Sequence, residues 1–197
     1  KRKSMLSYKE SLKILKETNA LLEGHFILSS GLHSDKYVQC AKLLSQPKKA
    51  ERLCLSLAEK IKEKYKNIDL IMSPAVGGIV IGYEIGRILN IETIFAERVD
   101  GKFTLRRGFE IKKGQRVLIV EDVITTGKSS MECSNLAKKV NAEIIGYACI
   151  IDRSNGKSKI DKTIISQVEI SIPTYKKENL PKHLENIQAY KPGSRNL

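Results

Sequence analysis

Arg116-Val117-Leu118-Ile119-Val120-Glu121-Asp122-Val123-Ile124-Thr125-Thr126-Gly127-Lys128-Ser129 reads as a buried strand, Arg116 to Val120, that stops at two adjacent carboxylates. A turn rich in hydroxyls and glycine follows, and then a helix running from Lys128 to Val140. Backbone N–H groups exposed at a helix N-terminus form a cradle for phosphate. Thr125, Thr126 and Ser129 can add hydroxyl donors, and Gly127 permits close approach of a ligand. Glu121 and Asp122 are acceptors suited to the paired hydroxyls of a ribose. Phosphate donors beside ribose acceptors describe a site for a ribose 5-phosphate. The competing reading is an ordinary strand end with a helix cap.

Two nucleotide-binding motifs are excluded. Gly127-Lys128-Ser129 looks like the end of a P-loop, but that motif requires a glycine where Asp122 stands. Gly77, Gly78, Gly82 and Gly86 do not have the spacing of a dinucleotide-binding fingerprint.

Outward from this string the chain alternates strands and helices. Ile68 to Met72, Glu92 to Ala96, Ile144 to Ile151 and Val168 to Ile172 are strand candidates. Helices are expected from Leu6 to Leu22, from Pro47 to Tyr65, and after the turn at Gly77-Gly78 as far as Leu89. Continuous apolar strands separated by helices indicate an α/β fold, a mostly parallel sheet flanked by helices. Ligands in such sheets sit at the carboxyl ends of the strands, so the loops after Met72, Ala96, Val120 and Ile151 should carry the chemistry.

Composition supports one domain over residues 1–197 and gives no sign of a linker or repeat. No apolar run approaches the ~20 residues of a membrane span, and the basic start Lys1-Arg2-Lys3 does not lead into the apolar core of a secretory signal. Cys40, Cys54, Cys133 and Cys149 lie far apart, with His25, His33 and His183 scattered among them. That spacing argues against a zinc site and suits a reduced, cytoplasmic setting. The net charge of +13 leaves two readings open: an anionic partner, or a solvated surface of the Lys60, Lys62, Lys64, Lys66 kind.

Three further loops have chemistry of their own. Pro74 to Gly78 follows a strand and opens a helix, so its amides can face a pyrophosphate, or it can simply be a tight turn whose glycines pack the helix closely. Arg98 to Gly108 carries Arg98, Lys102, Arg106 and Arg107 between possible glycine hinges, and is either a mobile cationic lid or a solvated basic hairpin. Arg153 follows an apolar strand and can grip a carboxylate with two hydrogen bonds, or lie on the surface as an ordinary strand-end arginine.

The string from Arg116 to Ser129 resembles the phosphoribosyl pyrophosphate (PRPP) motif of type I phosphoribosyltransferases. Phe26-Ile27-Leu28-Ser29-Ser30-Gly31 with Ser34 to Tyr37, the turn Ser73-Pro74-Ala75-Val76-Gly77-Gly78, and Ile151-Asp152-Arg153 are similar to the hood, the pyrophosphate loop and the base-binding arginine of the orotate phosphoribosyltransferase family. The likeness spans Gly24 to Arg153 and looks closest to a short bacterial branch.

The resemblance implies a type I phosphoribosyltransferase fold with a small N-terminal hood, residues 1–45 plus a C-terminal segment. It implies transfer of ribose 5-phosphate from PRPP to orotate, giving orotidine 5′-monophosphate and pyrophosphate in pyrimidine synthesis. PRPP would be bound by Glu121, Asp122, Val123, Ile124, Thr125, Thr126, Gly127, Lys128 and Ser129 with Arg98 and Lys102, and orotate by Thr125 and Arg153. Lys102 and Asp122 are the expected catalytic residues, and Mg²⁺ would arrive with PRPP, not in a protein metal site. A homodimer is implied, its lid reaching the neighbouring subunit's site, with no nucleic-acid or membrane partner. Val99 after Arg98, Thr104 where a histidine is common, and Ser29 where many relatives have lysine depart from the better-known pattern. The rival readings are a purine phosphoribosyltransferase, which would lack the hood and Arg153, and a PRPP-sensing regulator that binds nucleic acid. No DNA-binding helix pair or RNA-binding motif supports the regulator.

Overall fold

The computed structural model of the chain describes residues 5–193. Helix α1 (Tyr8–Glu17) leads into strands β1 (Leu21–Ile27) and β2 (His33–Val38), then helices α2 (Cys40–Leu44) and α3 (Pro47–Lys64). After these come β3 (Leu70–Pro74), α4 (Gly77–Leu89), β4 (Thr93–Val99), β5 (Lys102–Thr104) and β6 (Arg116–Ile124). The last regular elements are α5 (Lys128–Lys139), β7 (Glu143–Asp152), β8 (Ile164–Glu169), a 3₁₀ turn (Lys177–Asn179) and α6 (Lys182–Glu185).

Six strands form the main sheet in the order β5-β4-β3-β6-β7-β8. All of its pairings are parallel except β4 with β5. This is the α/β architecture expected from the sequence. Alternation along β6 divides the core. Leu118 and Val120 face α3 and α4, packing with Leu53, Leu57, Ile61, Ile81 and Ile85. Val117 and Ile119 face α5, packing with Cys133 and Ala137. Each fully buried Leu or Ile contributes about 1.5–3 kcal/mol, so the sheet between these two layers is the rigid platform for its loops.

Several element boundaries differ from the sequence reading. The expected helix through Leu22 stops at Glu17. It starts on a capping box in which the Ser7 hydroxyl accepts from the Glu10 amide at 3.1 Å. Asn19 adopts a left-handed φ of 59°, which turns the chain so that Leu21 and Leu22 open β1 instead. Strand β3 starts later and ends later than Ile68 to Met72, β4 continues past Ala96 to Val99, and β8 lies earlier than Val168 to Ile172.

The hood is the antiparallel pair β1–β2, with a bulge between Glu23 and Phe26. The C-terminal segment flanks it on both sides. Tyr175 bridges His33 and Tyr190 bridges Phe26. Residues 1–4 of the expected hood fall outside the described residues. No helix among the described residues is long and apolar enough to cross a membrane.

Candidate active site

The acidic pair does not end its strand. Beta pairing carries β6 on to Ile124, with Val123 opposite Ile151 and Ile124 opposite Asp152. Successive side chains of a strand point to opposite faces, so Glu121 and Asp122 separate. Glu121 turns to the α5 side, is 8% exposed, and accepts a hydrogen bond of 3.4 Å from the Ser130 hydroxyl. Burial, and secondarily the negative charge of Asp122, push its carboxyl up to about 8. Asp122 turns to the α4 side against Gly77, where a β-carbon would lie 2.8 Å from its Oδ2. Burial raises its carboxyl too, while the Val123 amide, donating at 2.8 Å, opposes the shift. The acidic pair thus divides between the two faces of β6, and Asp122 is the one that shares a face with the β3–α4 turn.

Past Ile124 the loop exposes Thr125 and Thr126 and enters α5 at Gly127. Gly127 has φ +79°, and a β-carbon there would meet Ile160 at 2.8 Å, so conformation and packing both demand glycine. No side chain caps α5, Ser129 is half-buried at its start, and Lys128 is exposed, 4.0 Å from Glu132. The first amides of a helix have no intrahelical partner, which leaves this end able to receive an anion. The N-terminus of α4 also lacks a side-chain cap. It follows a turn whose Ala75–Val76 peptide is cis and whose Val76 is exposed.

Thr125 and Arg153 come together. With Ile27, Leu28, Ser29, Ser30, Tyr37 and Gln39 of the hood, and Thr174 and Lys191 to Gly193 of the C-terminal segment, they line a cleft of about 670 Å³. The Arg153 amide donates to the Ile124 carbonyl at 2.9 Å, which ties the arginine to the end of β6. Its Nε is buried without a hydrogen-bond partner, and burial lowers the guanidinium from its ordinary value. A buried donor left unsatisfied is costly, so a ligand acceptor in the cleft would relieve that cost.

Arg98 and Lys102 lie outside this cleft. Val99 pairs with Lys102, and Asp100 and Gly101 between them have φ of 49° and 77°, a two-residue turn joining β4 to β5. Arg98 is paired with Glu132 at 2.7 Å and stacked on Phe103 at 4.2 Å, while Arg107 grips Glu97 with contacts of 2.8 and 2.9 Å. Lys102 is exposed, makes no ion pair among the described residues, and lines a groove along α5 with Glu132 and Asn135. The first part of the stretch is thus one arm and the turn of the β4–β5 hairpin.

Sequence reasoning missed Gln39, Thr174 and Lys191 as cleft residues. Only Lys191-Pro192-Gly193, a turn signal in an unpatterned tail, gave any hint. Among the described residues no group of three His, Cys, Asp or Glu side chains is arranged to hold a metal.

Residues 42–186 match the phosphoribosyl transferase domain family. The orotate phosphoribosyltransferase of Parvibaculum lavamentivorans is 50% identical over 94% of this chain and 97% of its own length. That of Maricaulis maris is 46% identical over 95% and 97% respectively. The crystal structure of orotate phosphoribosyltransferase from Aeropyrum pernix superposes with a TM-score of 0.68 at 22% identity, covering 80% of this chain and 92% of that one, a likeness of fold. With such identity sustained from end to end of both chains, this chain belongs to the orotate phosphoribosyltransferase family.

Proposed function

We propose that the chain transfers ribose 5-phosphate from PRPP to orotate, releasing pyrophosphate and forming orotidine 5′-monophosphate, a step of pyrimidine nucleotide synthesis. The observation that carries this reading is the cleft joining Thr125 of the phosphate loop to Arg153 and the hood. It supplies a cation for the carboxylate of orotate beside the loop that would hold the 5′-phosphate.

In this reading the amides and hydroxyls of Thr125 to Ser129 at the start of α5 bind the 5′-phosphate, and Asp122 accepts from the ribose hydroxyls. Val123 and Ile124 hold that loop on the sheet, and Glu121 braces it from beneath through Ser130. The amides after Pro74 receive the pyrophosphate. As the bond from the ribose carbon to pyrophosphate oxygen breaks, positive charge develops on the ring, and a ring nitrogen of orotate closes the new bond. No side chain has to act as nucleophile. Positioning, fixed dipoles and exclusion of water supply the catalysis.

Mg²⁺ would be delivered with PRPP, whose pyrophosphate chelates it, and the Asp122 carboxylate faces the turn proposed for that pyrophosphate. When bound it neutralises charge on the leaving group. A homodimer is supported by the exposed apolar face of Val76, Val80 and Tyr83 on and beside α4. In that assembly the unpaired Lys102 would serve the neighbouring subunit's pyrophosphate, with Arg98 holding the hairpin to α5. The four buried, unpaired cysteines suit a reducing cytoplasm.

Replacing Arg153 by Ala tests the reading. A charge-assisted hydrogen bond contributes about 1.5–3 kcal/mol, so the KM for orotate should rise roughly tenfold to a hundredfold while that for PRPP changes little. Equal losses for both substrates would make Arg153 structural.

A further inference from the structure

The C-terminal segment places a second cation in the base cleft. Its backbone is tied to the hood on both sides of Tyr190: the Ile27 amide donates to the Tyr190 carbonyl at 2.8 Å, and the Tyr190 amide donates to the His25 carbonyl at 2.9 Å. Slightly upstream, the Ile187 carbonyl accepts from His25 Nδ1 at 2.7 Å, and the other nitrogen of that buried ring is 2.6 Å from His33 Nδ1. His33 in turn exchanges two backbone hydrogen bonds of 2.8 Å with Tyr175. Lys191 is the residue that follows this anchored rung, and it lines the cleft that Arg153 and Thr125 line.

The charge of that cleft is one-sided. Its lining contains Arg153 and Lys191 and no carboxylate. Lys191 makes no ion pair among the described residues, although Lys13, Lys16, Lys36 and Lys62 each have an acidic partner. Two cations facing one cavity repel in the empty state, and an anion between them turns that repulsion into attraction. Arg153 alone could hold a carboxylate through its fork; the exposed Lys191 adds a point charge on a flexible stem.

We propose that Lys191 is a substrate-binding residue, a second cation for the carboxylate of the acceptor base, carried into the site by the C-terminal segment. This rests on the reading of the cleft as the orotate site and adds to it a determinant for acceptors that bear a carboxylate. The same pair of charges could instead meet the 5′-phosphate of PRPP, and the two sources are separated by which substrate a Lys191 variant loses.

The test uses the full chain, with the steady-state KM of orotate and of PRPP measured for the parent, Lys191→Gln, Lys191→Arg and Arg153→Ala, each first checked for an unchanged melting temperature. Lys191→Gln should raise the orotate KM roughly tenfold and leave the PRPP KM unaltered, and Lys191→Arg should restore most of the loss. A parental orotate KM in Lys191→Gln, or a larger rise for PRPP than for orotate, overturns the role of Lys191. If Arg153→Ala raises the orotate KM while Lys191→Gln does not, only this inference falls. If neither variant alters it, the reading of the cleft as the orotate site falls as well.

Discussion

The carboxylate of Asp122 lies against the backbone of Gly77 so closely that a β-carbon on Gly77 would sit 2.8 Å from Oδ2. The strand that carries the proposed ribose acceptor and the turn proposed for pyrophosphate therefore meet here. Asp122→Asn keeps the shape and removes the charge. It should fold with a normal melting temperature and lose roughly tenfold to a hundredfold in kcat/KM for PRPP. Gly77→Ala, which pushes the carboxylate aside, should do the same. Parental turnover in both would remove Asp122 from the ribose site.

Glu121 predicts a pH dependence of stability. Its carboxyl is raised from 4.5 to about 8, so between these values the folded chain holds a proton that the unfolded chain has lost. Stability from this group is full below the ordinary glutamate value and is lost as pH rises through the folded one, at up to about 1.4 kcal/mol per pH unit. Glu121→Gln cannot ionise. Thermal melts from about pH 5 to about pH 9 should show the parent losing stability relative to the variant as pH rises. Parallel curves would mean that Glu121 is ionised throughout.

Lys102 predicts complementation between subunits. In a dimer mixing Lys102→Ala chains with Asp122→Asn chains, one of the two sites would receive both an intact lysine and an intact carboxylate if the hairpin serves its neighbour. Mixing the two inactive proteins, with exchange of subunits, should restore part of the parental turnover. No recovery despite proven exchange, or full activity of Lys102→Ala by itself, would leave the β4–β5 hairpin as a solvated basic surface.

What could be read from the sequence follows the range of the forces involved. The parallel sheet, the loop that opens α5 and the glycine at position 127 are written in local patterns: apolar runs, a hydroxyl-rich turn, a helix start. The separation of Glu121 from Asp122 was not legible, because it depends on β7 pairing as far as Asp152 and so on a partner strand elsewhere in the chain. In the β4–β5 hairpin, Gly101 reads from sequence as a hinge among cations, and only the pairing of Val99 with Lys102 shows that it closes a two-residue turn with Asp100. Lys191 left the weakest trace. Its place is set by the hydrogen bonds of its neighbour Tyr190 to Ile27 and His25, far away in sequence, and no periodicity in the tail announces them.

The most direct test of the account is the choice of acceptor. Purified protein is given PRPP and Mg²⁺ with orotate, adenine, guanine and hypoxanthine in competition, and the loss of each base is followed with the release of pyrophosphate. Orotate alone should be consumed, in step with pyrophosphate, and excess chelator should stop the reaction. Consumption of a purine with orotate untouched, or full turnover in chelator, would contradict it.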